Sequence, residues 1–345
     1  MSLEFRHIAH AYGQQQALTA IDLTAAAGEV TCLLGSSGCG KTTLLNLAAG
    51  LLAVQQGEIL LDGQPLANPA RNPPPERRPV GLVFQDGALF PFLTIAENIG
   101  FGLRGVPDRD QRITRWLDRI GLSGMGGRYP DSLSGGQQQR AALARAMAPE
   151  PAVVLMDEPF GSVDVALRRA LRDESRRLLK TRGAATILVT HDPEEAVEMG
   201  DRIAVMEAGR IVQAGTPGAL HDRPATPGVG MLFGDAQLVP ARLEDGALHT
   251  AFGIWPVEAL ASEPTPPGPF TLLVRRSALT PVPDGQPLTV EDVRPLGAVA
   301  NVTLTAENGE RLVIQAPTDT AIPPQATLAV MPKPRSILAY PATAD

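Results

Sequence analysis

The stretch with the clearest chemistry is Gly35-Ser-Ser-Gly-Cys-Gly-Lys41-Thr42, which matches the pattern G-x-x-x-x-G-K-[ST]. Glycines in such a loop let backbone N–H groups turn inward around phosphate oxygens, and a following helix adds the positive end of its dipole. Lys41 would add a full charge to the β- and γ-phosphates of a nucleotide, and the hydroxyl of Thr42 would ligate Mg²⁺. The alternative is a chance glycine turn beside a surface lysine.

A pair of carboxylates, Asp157 and Glu158, follows the apolar run Val153–Met156. A buried strand would deliver both at its C-terminal edge, beside the phosphate loop. There Asp157 would suit Mg²⁺ coordination and Glu158 would polarise an attacking water. Acidic pairs at strand ends are also common without any function, so the phosphate loop is what favours a site.

Two further polar residues, Gln85 and His191, close apolar runs. The amide of Gln85 would reach Mg²⁺ or the nucleophilic water, and a plain surface glutamine is the alternative. His191 would touch the γ-phosphate and orient Glu158 or the water, and capping of the next helix is the alternative.

The predicted elements place these residues on one sheet. Strands are predicted over Ser2–His10, Glu29–Leu34, Val80–Phe84, Ala152–Met156 and Ala185–Thr190, and a helix over Thr42–Ala53. Residues 86–150 are mainly helical in pattern, with helices at Gln111–Ile120 and Gln137–Ala148. Strands that alternate with helices predict a parallel sheet, so the fold class is α/β with a phosphate-loop NTPase core and a helical subdomain.

A second domain is predicted after the Pro- and Gly-rich passage His221–Gly230. Beyond about Ala236 the chain consists of short β-prone runs, which indicates a small all-β, OB-like domain. The predicted domains are therefore residues 1–235 and 236–345.

Bulk composition narrows the function classes. The 345 residues are 44% hydrophobic and 19% charged, which indicates a globular chain. The net charge of −7 lacks a basic block, so nucleic acid is not an expected partner. The N-terminus has no signal-peptide pattern, and the longest apolar run, Thr43–Val54, is too short for a bilayer span. With only Cys32, in a buried strand, and Cys39, at a free position of the loop, a reducing cytosolic setting fits best.

The segment Leu133–Arg140, LSGGQQQR, opens a helix and contains no nucleophile, acid–base pair or metal ligand. Together with GSSGCGKT, the Gln85 strand end, LMDEP at Leu155–Pro159 and Thr190-His191, it resembles the ATP-binding subunits of ABC transporters, whose motifs occur in this order. The resemblance covers roughly Leu3–Gly215.

This resemblance implies a nucleotide sandwich, in which Ser134–Gln137 closes over the ATP that a second copy holds. Tyr12 would stack on adenine, although packing on the core is an alternative for a tyrosine at a strand end. The loop Gly161–Asp164, GSVD, departs from the family's usual SALD but retains Asp164. The implied nucleotide-binding set is Tyr12, Gly35, Ser36, Ser37, Gly38, Cys39, Gly40, Lys41, Thr42, Thr43, Ser134, Gly135, Gly136, Gln137 and Asp164, with Glu158, His191 and Gln85 in catalysis and Thr42, Gln85 and Asp157 on Mg²⁺.

The resemblance also implies partners outside this chain: permease subunits in the membrane and, indirectly, a substrate-binding protein. Leu89–Phe92 resembles the groove that receives a permease helix, and ordinary core is the alternative. The expected location is the cytoplasmic face of the cell membrane, as a peripheral subunit. The stretches Tyr129–Pro149 and Phe84–Leu103 look most like ferric-ion importers. Polyamine, sulfate or sugar import, a soluble ABC ATPase on DNA or ribosomes, and a small-molecule kinase or GTPase are the alternatives.

Overall fold

The computed structural model describes residues 1–85, 87–161, 165–262, 269–320 and 322–342. Their contacts divide the chain into two compact units, Met1–Asp222 and Arg223–Asp345. No helix of the described residues is long and apolar enough to cross a bilayer.

The first unit contains ten strands and seven α-helices in its described residues. The strands are β1 Leu3–Tyr12, β2 Gln15–Ala25, β3 Val30–Leu34, β4 Gln56–Leu61, β5 Gln64–Ala67, β6 Val80–Val83, β7 Val153–Asp157, β8 Ala185–Thr190, β9 Arg202–Glu207 and β10 Arg210–Gly215. The helices are α1 Lys41–Ala49, α2 Ile95–Ile99, α3 Arg109–Arg119, α4 Gly135–Met147, α5 Val165–Arg182, α6 Pro193–Met199 and α7 Pro217–Asp222.

A six-stranded sheet of order β10-β9-β3-β8-β7-β6 forms the centre of this unit. Its strands pair in parallel except for β10, which pairs antiparallel with β9 at the edge. Strands β3 and β8 are buried along their whole length, as expected of apolar runs covered on both faces. The predicted parallel sheet is therefore present, and the ends of β3, β7 and β8 share one edge.

A second sheet in this unit, of order β2-β1-β4-β5, is antiparallel throughout. Only its first strand is predicted from the sequence. The sheet packs over α1, because Leu3 and Phe5 of β1 share a buried cluster with Leu44 and Leu45 of the helix. This packing fixes the helix that follows the phosphate loop.

The predicted helical stretch between residues 86 and 150 is present as α2, α3 and α4, and the residues described there form no strand. The bounds of the three predicted helices differ from the prediction by one to four residues, and two of the differences have a clear local cause. Helix α1 ends at Ala49 rather than Ala53, because Gly50 adopts φ 83° and its N–H closes the helix on Asn46 and Leu47. Helix α4 begins at Gly135, two residues before the predicted start, because Ser134 caps it.

The second unit is built from two five-stranded sheets and one α-helix in its described residues. The helix α8 spans Pro227–Leu232, and the strands are β11 Ala236–Glu244, β12 Ala247–Thr250, β13 Gly253–Pro256, β14 Pro269–Arg275, β15 Leu279–Val282, β16 Leu288–Leu296, β17 Val299–Thr305, β18 Arg311–Pro317, β19 Thr327–Pro332 and β20 Ile337–Pro341. The sheet orders are β13-β12-β11-β14-β20 and β15-β19-β16-β17-β18. Both sheets contribute to one apolar cluster, in which Trp255 is fully buried.

The division between the units lies earlier than the boundary predicted near residue 236. Helix α8 packs against β11 and β14 and so belongs to the second unit. Gly230 approaches Leu273 so closely that a Cβ would lie 2.5 Å from its side chain. The segment between the predicted and observed boundaries is thus part of the β unit.

Candidate active site

The phosphate loop joins β3 to α1, as the sequence predicts. Gly38 and Gly40 adopt φ values of 82° and 106°, which side chains rarely tolerate. A Cβ on Gly35 would lie 2.3 Å from the carbonyl oxygen of Met206. The loop therefore requires glycine at these positions, and Gly40 precedes α1 without any side-chain cap on the first-turn amides.

Lys41 is buried within this loop, at 5% exposure. Its Nζ donates to the carbonyl oxygens of Gly35 and Ser36, both at 2.8 Å, and lies 3.7 Å from Cys39 Sγ. The ammonium group thus sits inside the ring of backbone groups, where a phosphate would meet it. Cys39 is buried beside it and, like Cys32, forms no disulfide.

Asp157, at the end of β7, faces the start of α1. Thr42 Oγ1 donates to Asp157 Oδ1 at 3.4 Å. Burial raises the pKa of Asp157, and the hydrogen bond from Thr42 works against that rise. A hydroxyl next to a carboxylate is a donor set of hard oxygen atoms, so this pair fits Mg²⁺.

Glu158 and His191 form a contact across the ends of β7 and β8. His191 Nδ1 lies 3.1 Å from Glu158 Oε1. Glu158 itself adopts φ 43°, an uncommon conformation for this residue type, and its N–H donates to the carbonyl of Val189 at 3.0 Å. This backbone turn directs the carboxylate away from the strand toward the histidine on the neighbouring strand.

A cavity of about 160 Å³ adjoins this contact. Gln85, which is exposed, shares the cavity with Glu158 and His191. The structure therefore brings together the three residues to which the sequence assigns catalysis. The remaining lining residues are Phe160, Gly161, Arg168, Arg172, Thr190, Asp192 and Glu195.

The structure does not support His191 as a helix cap or Tyr12 as a core residue. The residue that caps α6 is Asp192, whose side chain accepts the N–H of Glu194 at 2.9 Å, and not His191. Tyr12 is 51% exposed rather than packed in the core. Its hydroxyl lies 3.4 Å from Thr43 Oγ1, so the ring stands next to the first turn of α1.

The segment at Leu133–Gln137 forms a capping box at the start of α4. Ser134 Oγ accepts the N–H of Gln137 at 3.4 Å, and Gln137 Oε1 accepts the N–H of Ser134 at 3.0 Å. Ser134 and Gly135 are exposed, whereas Gly136 is buried against Leu171. The segment contributes no residue to the lining of the cavity at Glu158. Asp164 lies outside the described residues.

The aromatic segment after Gln85 is partly at the surface. Phe92 is 72% exposed and Phe101 is 42% exposed. The ring of Phe90 lies 4.6 Å from that of Phe101, and the guanidinium of Arg145 lies 5.1 Å from the Phe90 ring. The cluster is therefore an exposed aromatic patch rather than ordinary core.

Sequence reasoning overlooked the residues behind His191. Arg172 on α5 and Glu195 on α6 line the cavity and are each 4% exposed. The only signal in the sequence is the position of Glu195 four residues after His191, whereas Arg172 is far away along the chain.

The chain is similar to known proteins of one family. Residues 18–161 match the ABC transporter family. The chain is 40% identical over 324 residues to a sulfate/thiosulfate import ATP-binding protein of Caulobacter vibrioides, covering 92% of this chain and 93% of that protein. It is 43% identical over 285 residues to an Fe(3+) ions import ATP-binding protein of Pseudomonas fluorescens, covering 82% and 79% of the two chains. A spermidine/putrescine import ATP-binding protein of Trichormus variabilis is 44% identical over 242 residues, covering 69% and 62%.

Among solved structures, the chain is similar to cbiO1 from Clostridium perfringens, described as part of the ABC transporter complex cbiONQ. The two share 28% sequence identity with a TM-score of 0.59, over 64% of this chain and 90% of the other.

Proposed function

Because the chain belongs to the ABC transporter family, as an ATPase of the importer type, we propose that it hydrolyses ATP at the site around Lys41 and Glu158 to drive solute uptake through separate permease subunits. The observation that carries this proposal is the Glu158–His191 contact. It lies at the same edge of the central sheet as the phosphate loop, because β3, β8 and β7 pair in parallel. Lys41, which can bind phosphates, and Glu158, which can bind the attacking water, therefore lie at one edge of the sheet.

We assign the roles of the residues from their positions and from the family to which the chain belongs. Lys41 and the loop amides bind the phosphates, and Tyr12 stacks on adenine. Thr42, Asp157 and Gln85 would hold Mg²⁺, which when bound neutralises charge on the phosphates. Glu158 orients the attacking water and accepts its proton, and His191 holds that carboxylate in place through Nδ1.

The second half of each site comes from another copy of the chain. The exposed Ser134 and Gly135 present a hydroxyl and helix N-terminal amides, which suit an anion. We place them over the ATP of the partner copy, together with Gly136 and Gln137. ATP binding would then close the dimer, and hydrolysis would release it, giving the permease two states.

The exposed patch of Phe90, Phe92 and Phe101 is the proposed seat of a permease helix, at the cytoplasmic face of the membrane. Phe90→Asp should leave the affinity for ATP within about twofold but abolish recruitment to membranes that contain the permease. Ile254→Asp, at a 62% exposed position of the second unit, is the matched surface control. Recruitment that survives Phe90→Asp would refute the assignment.

For the solute we propose ferric ion, delivered by a substrate-binding protein, on the resemblance of Phe84–Leu103 and Tyr129–Pro149 to ferric-ion importers. The relatives named for sulfate, ferric ion and polyamines have similar sequence identities to the chain, between 40% and 44%. The test therefore includes all three solutes. The β unit is proposed to support the dimer.

The experiment is uptake of labelled ferric iron, sulfate and spermidine by source cells in which Glu158→Gln replaces the native chain. Selective loss of iron uptake is the expected result. Loss of another solute with normal iron uptake would overturn the ferric assignment. Normal uptake of all three, together with no ATP hydrolysis by the purified native chain, would overturn the importer ATPase itself.

A further inference from the structure

A buried charge cluster lies behind the Glu158–His191 contact, and the proposed reaction does not use it. Arg172 Nη2 lies 2.6 Å from Asp192 Oδ2 and 3.7 Å from Glu195 Oε2, and its Nη1 lies 3.1 Å from Glu198 Oε2. Asp192 and Glu198 are partly exposed, whereas Glu195 and Arg172 are almost fully buried. The desolvation penalty of a buried carboxylate can exceed what its pairing with an arginine returns, so fold stability alone does not explain Glu195.

Glu195 is linked to the turn that carries His191. Its Oε2 accepts the hydroxyl of Thr190 at 2.8 Å, and Thr190 Oγ1 in turn accepts the N–H of Asp192 at 3.0 Å. Thr190 and Asp192 are the two chain neighbours of His191. The cluster therefore fixes the turn on both sides of the histidine, through Glu195 on one side and Arg172 on the other.

The second oxygen of the same carboxyl group faces a different situation. Glu195 Oε1 is buried and has no hydrogen-bond partner among the described residues. Glu195 also lines the 160 Å³ cavity that contains Glu158, His191 and Gln85. An unsatisfied carboxylate oxygen costs free energy, which a purely structural role would not require.

We propose that Glu195 is a positioning residue of the hydrolytic site, which through Thr190 and Arg172 holds His191 in contact with Glu158. This inference rests on the proposed function, since it assigns a role within the same reaction. While Glu195 is charged, it accepts from Thr190 and attracts Arg172, so the turn is held. Once it is protonated, the attraction to Arg172 is lost and the alignment of His191 relaxes.

The charge of this carboxyl group changes near neutral pH. Burial raises the pKa of Glu195 to about 7, against the opposing effects of the Thr190 hydrogen bond and the Arg172 charge. The charged and titratable groups around Glu195 come from several elements. They are Arg168 and Arg172 on α5, Asp192 at the N-cap of α6, Glu198 on α6, Glu158 and His191 at the cavity, and Cys32 on β3. A fall in kcat on the acid side of pH 7 is therefore expected to depend on Glu195.

The test is ATP hydrolysis by the full chain between pH 5.5 and 8.5, with Glu195→Gln compared with Glu194→Gln. Glu194 is the exposed neighbour of Glu195, so its variant is the matched control. At pH 8 we expect Glu195→Gln to lower kcat by about tenfold with the KM for ATP nearly unchanged, since positioning supports proton transfer rather than binding. The acid limb of the wild-type profile should be absent from this variant and present in the control.

Two results would overturn the proposal: a Glu195→Gln profile identical to wild type, or a uniform loss of kcat that retains the acid limb. Thr190→Val should lower kcat as Glu195→Gln does, and Thr190→Ser, which keeps the hydroxyl, should restore it. Equal activity of the two Thr190 variants would also contradict the inference.

A readout without ATP separates this inference from the proposed function. The ring ¹⁵N chemical shifts of His191, assigned with His191→Gln among the five histidines, should differ at pH 8 between Glu195→Gln and Glu194→Gln, because only the first variant releases the turn that holds the ring. Identical ring ¹⁵N chemical shifts of His191 in the two variants would overturn the positioning role. Wild-type chain that does not hydrolyse ATP would refute the proposed function and leave the NMR result to stand by itself.

Discussion

Glu195→Gln should change how the stability of the unit Met1–Asp222 depends on pH. Burial raises the pKa of Glu195 from its usual 4.5 to about 7. Because the pKa of Glu195 is higher in the folded than in the unfolded chain, its contribution to the free energy of unfolding is fully present below pH 4.5. This contribution is lost as the pH rises through 7 and the buried carboxyl group ionises. At about 1.36 kcal/mol per pH unit the whole loss is about 3 kcal/mol, of which about 2 kcal/mol falls between pH 5.5 and pH 8. Glutamine does not ionise, so the free energy of unfolding of the variant lacks this pH-dependent contribution.

The two tryptophans allow this to be measured for one unit alone. Trp116 lies in α3 of the first unit and Trp255 in the second, and both are buried. In a Trp255→Phe background, urea unfolding followed by fluorescence reports on Trp116 only. The free energy of unfolding of Glu195→Gln minus that of its parent should rise by about 2 kcal/mol from pH 5.5 to pH 8. A difference that stays constant, as expected for the exposed Glu194→Gln, would refute a buried, titrating Glu195.

Further predictions concern the phosphate loop and its helix. Gly40→Ala should abolish binding of a fluorescent ATP analogue, because its Cβ would lie 2.7 Å from the carbonyl oxygen of Ala17 at a φ of 106°; Gly127→Ala, with open space around it, should bind normally. Arg78→Met should destabilise the first unit by about 2 kcal/mol in urea unfolding, because the buried guanidinium donates to Leu47 and Ala48 at the end of α1. The exposed neighbour substitution Arg77→Met should have little effect, and equal losses from both would contradict this account.

Four of the five parallel strands could be predicted, with their motifs, because apolar runs identify buried strands without further context. The fifth, β9 at Arg202–Glu207, was overlooked. Ala185–Thr190 is observed with the predicted bounds, and Val80 and Val153 begin strands at or within one residue of the predicted start. The antiparallel sheet was overlooked beyond its first strand. In β2, buried residues alternate with exposed ones only after Leu18. The alternation of apolar and polar residues that predicts a strand is therefore short in this segment.

The site could be predicted only where its residues belong to local motifs. Lys41, Asp157 and His191 each follow a strand whose end the sequence marks, so their common edge follows from parallel pairing. The Arg172–Glu195 pair arises from the packing of α5 on α6, and no spacing along the chain encodes that contact. The Glu158 backbone turn is likewise a product of the surrounding strands rather than of residue type.

The composite ATP site between two copies of the chain is tested by the mass of purified Glu158→Gln in light scattering, with and without Mg-ATP. We expect a dimer with Mg-ATP and a monomer without it, and a monomer that still binds ATP when Ser134→Arg is added. Glu158→Gln that binds ATP yet remains monomeric at high concentration would contradict the composite site.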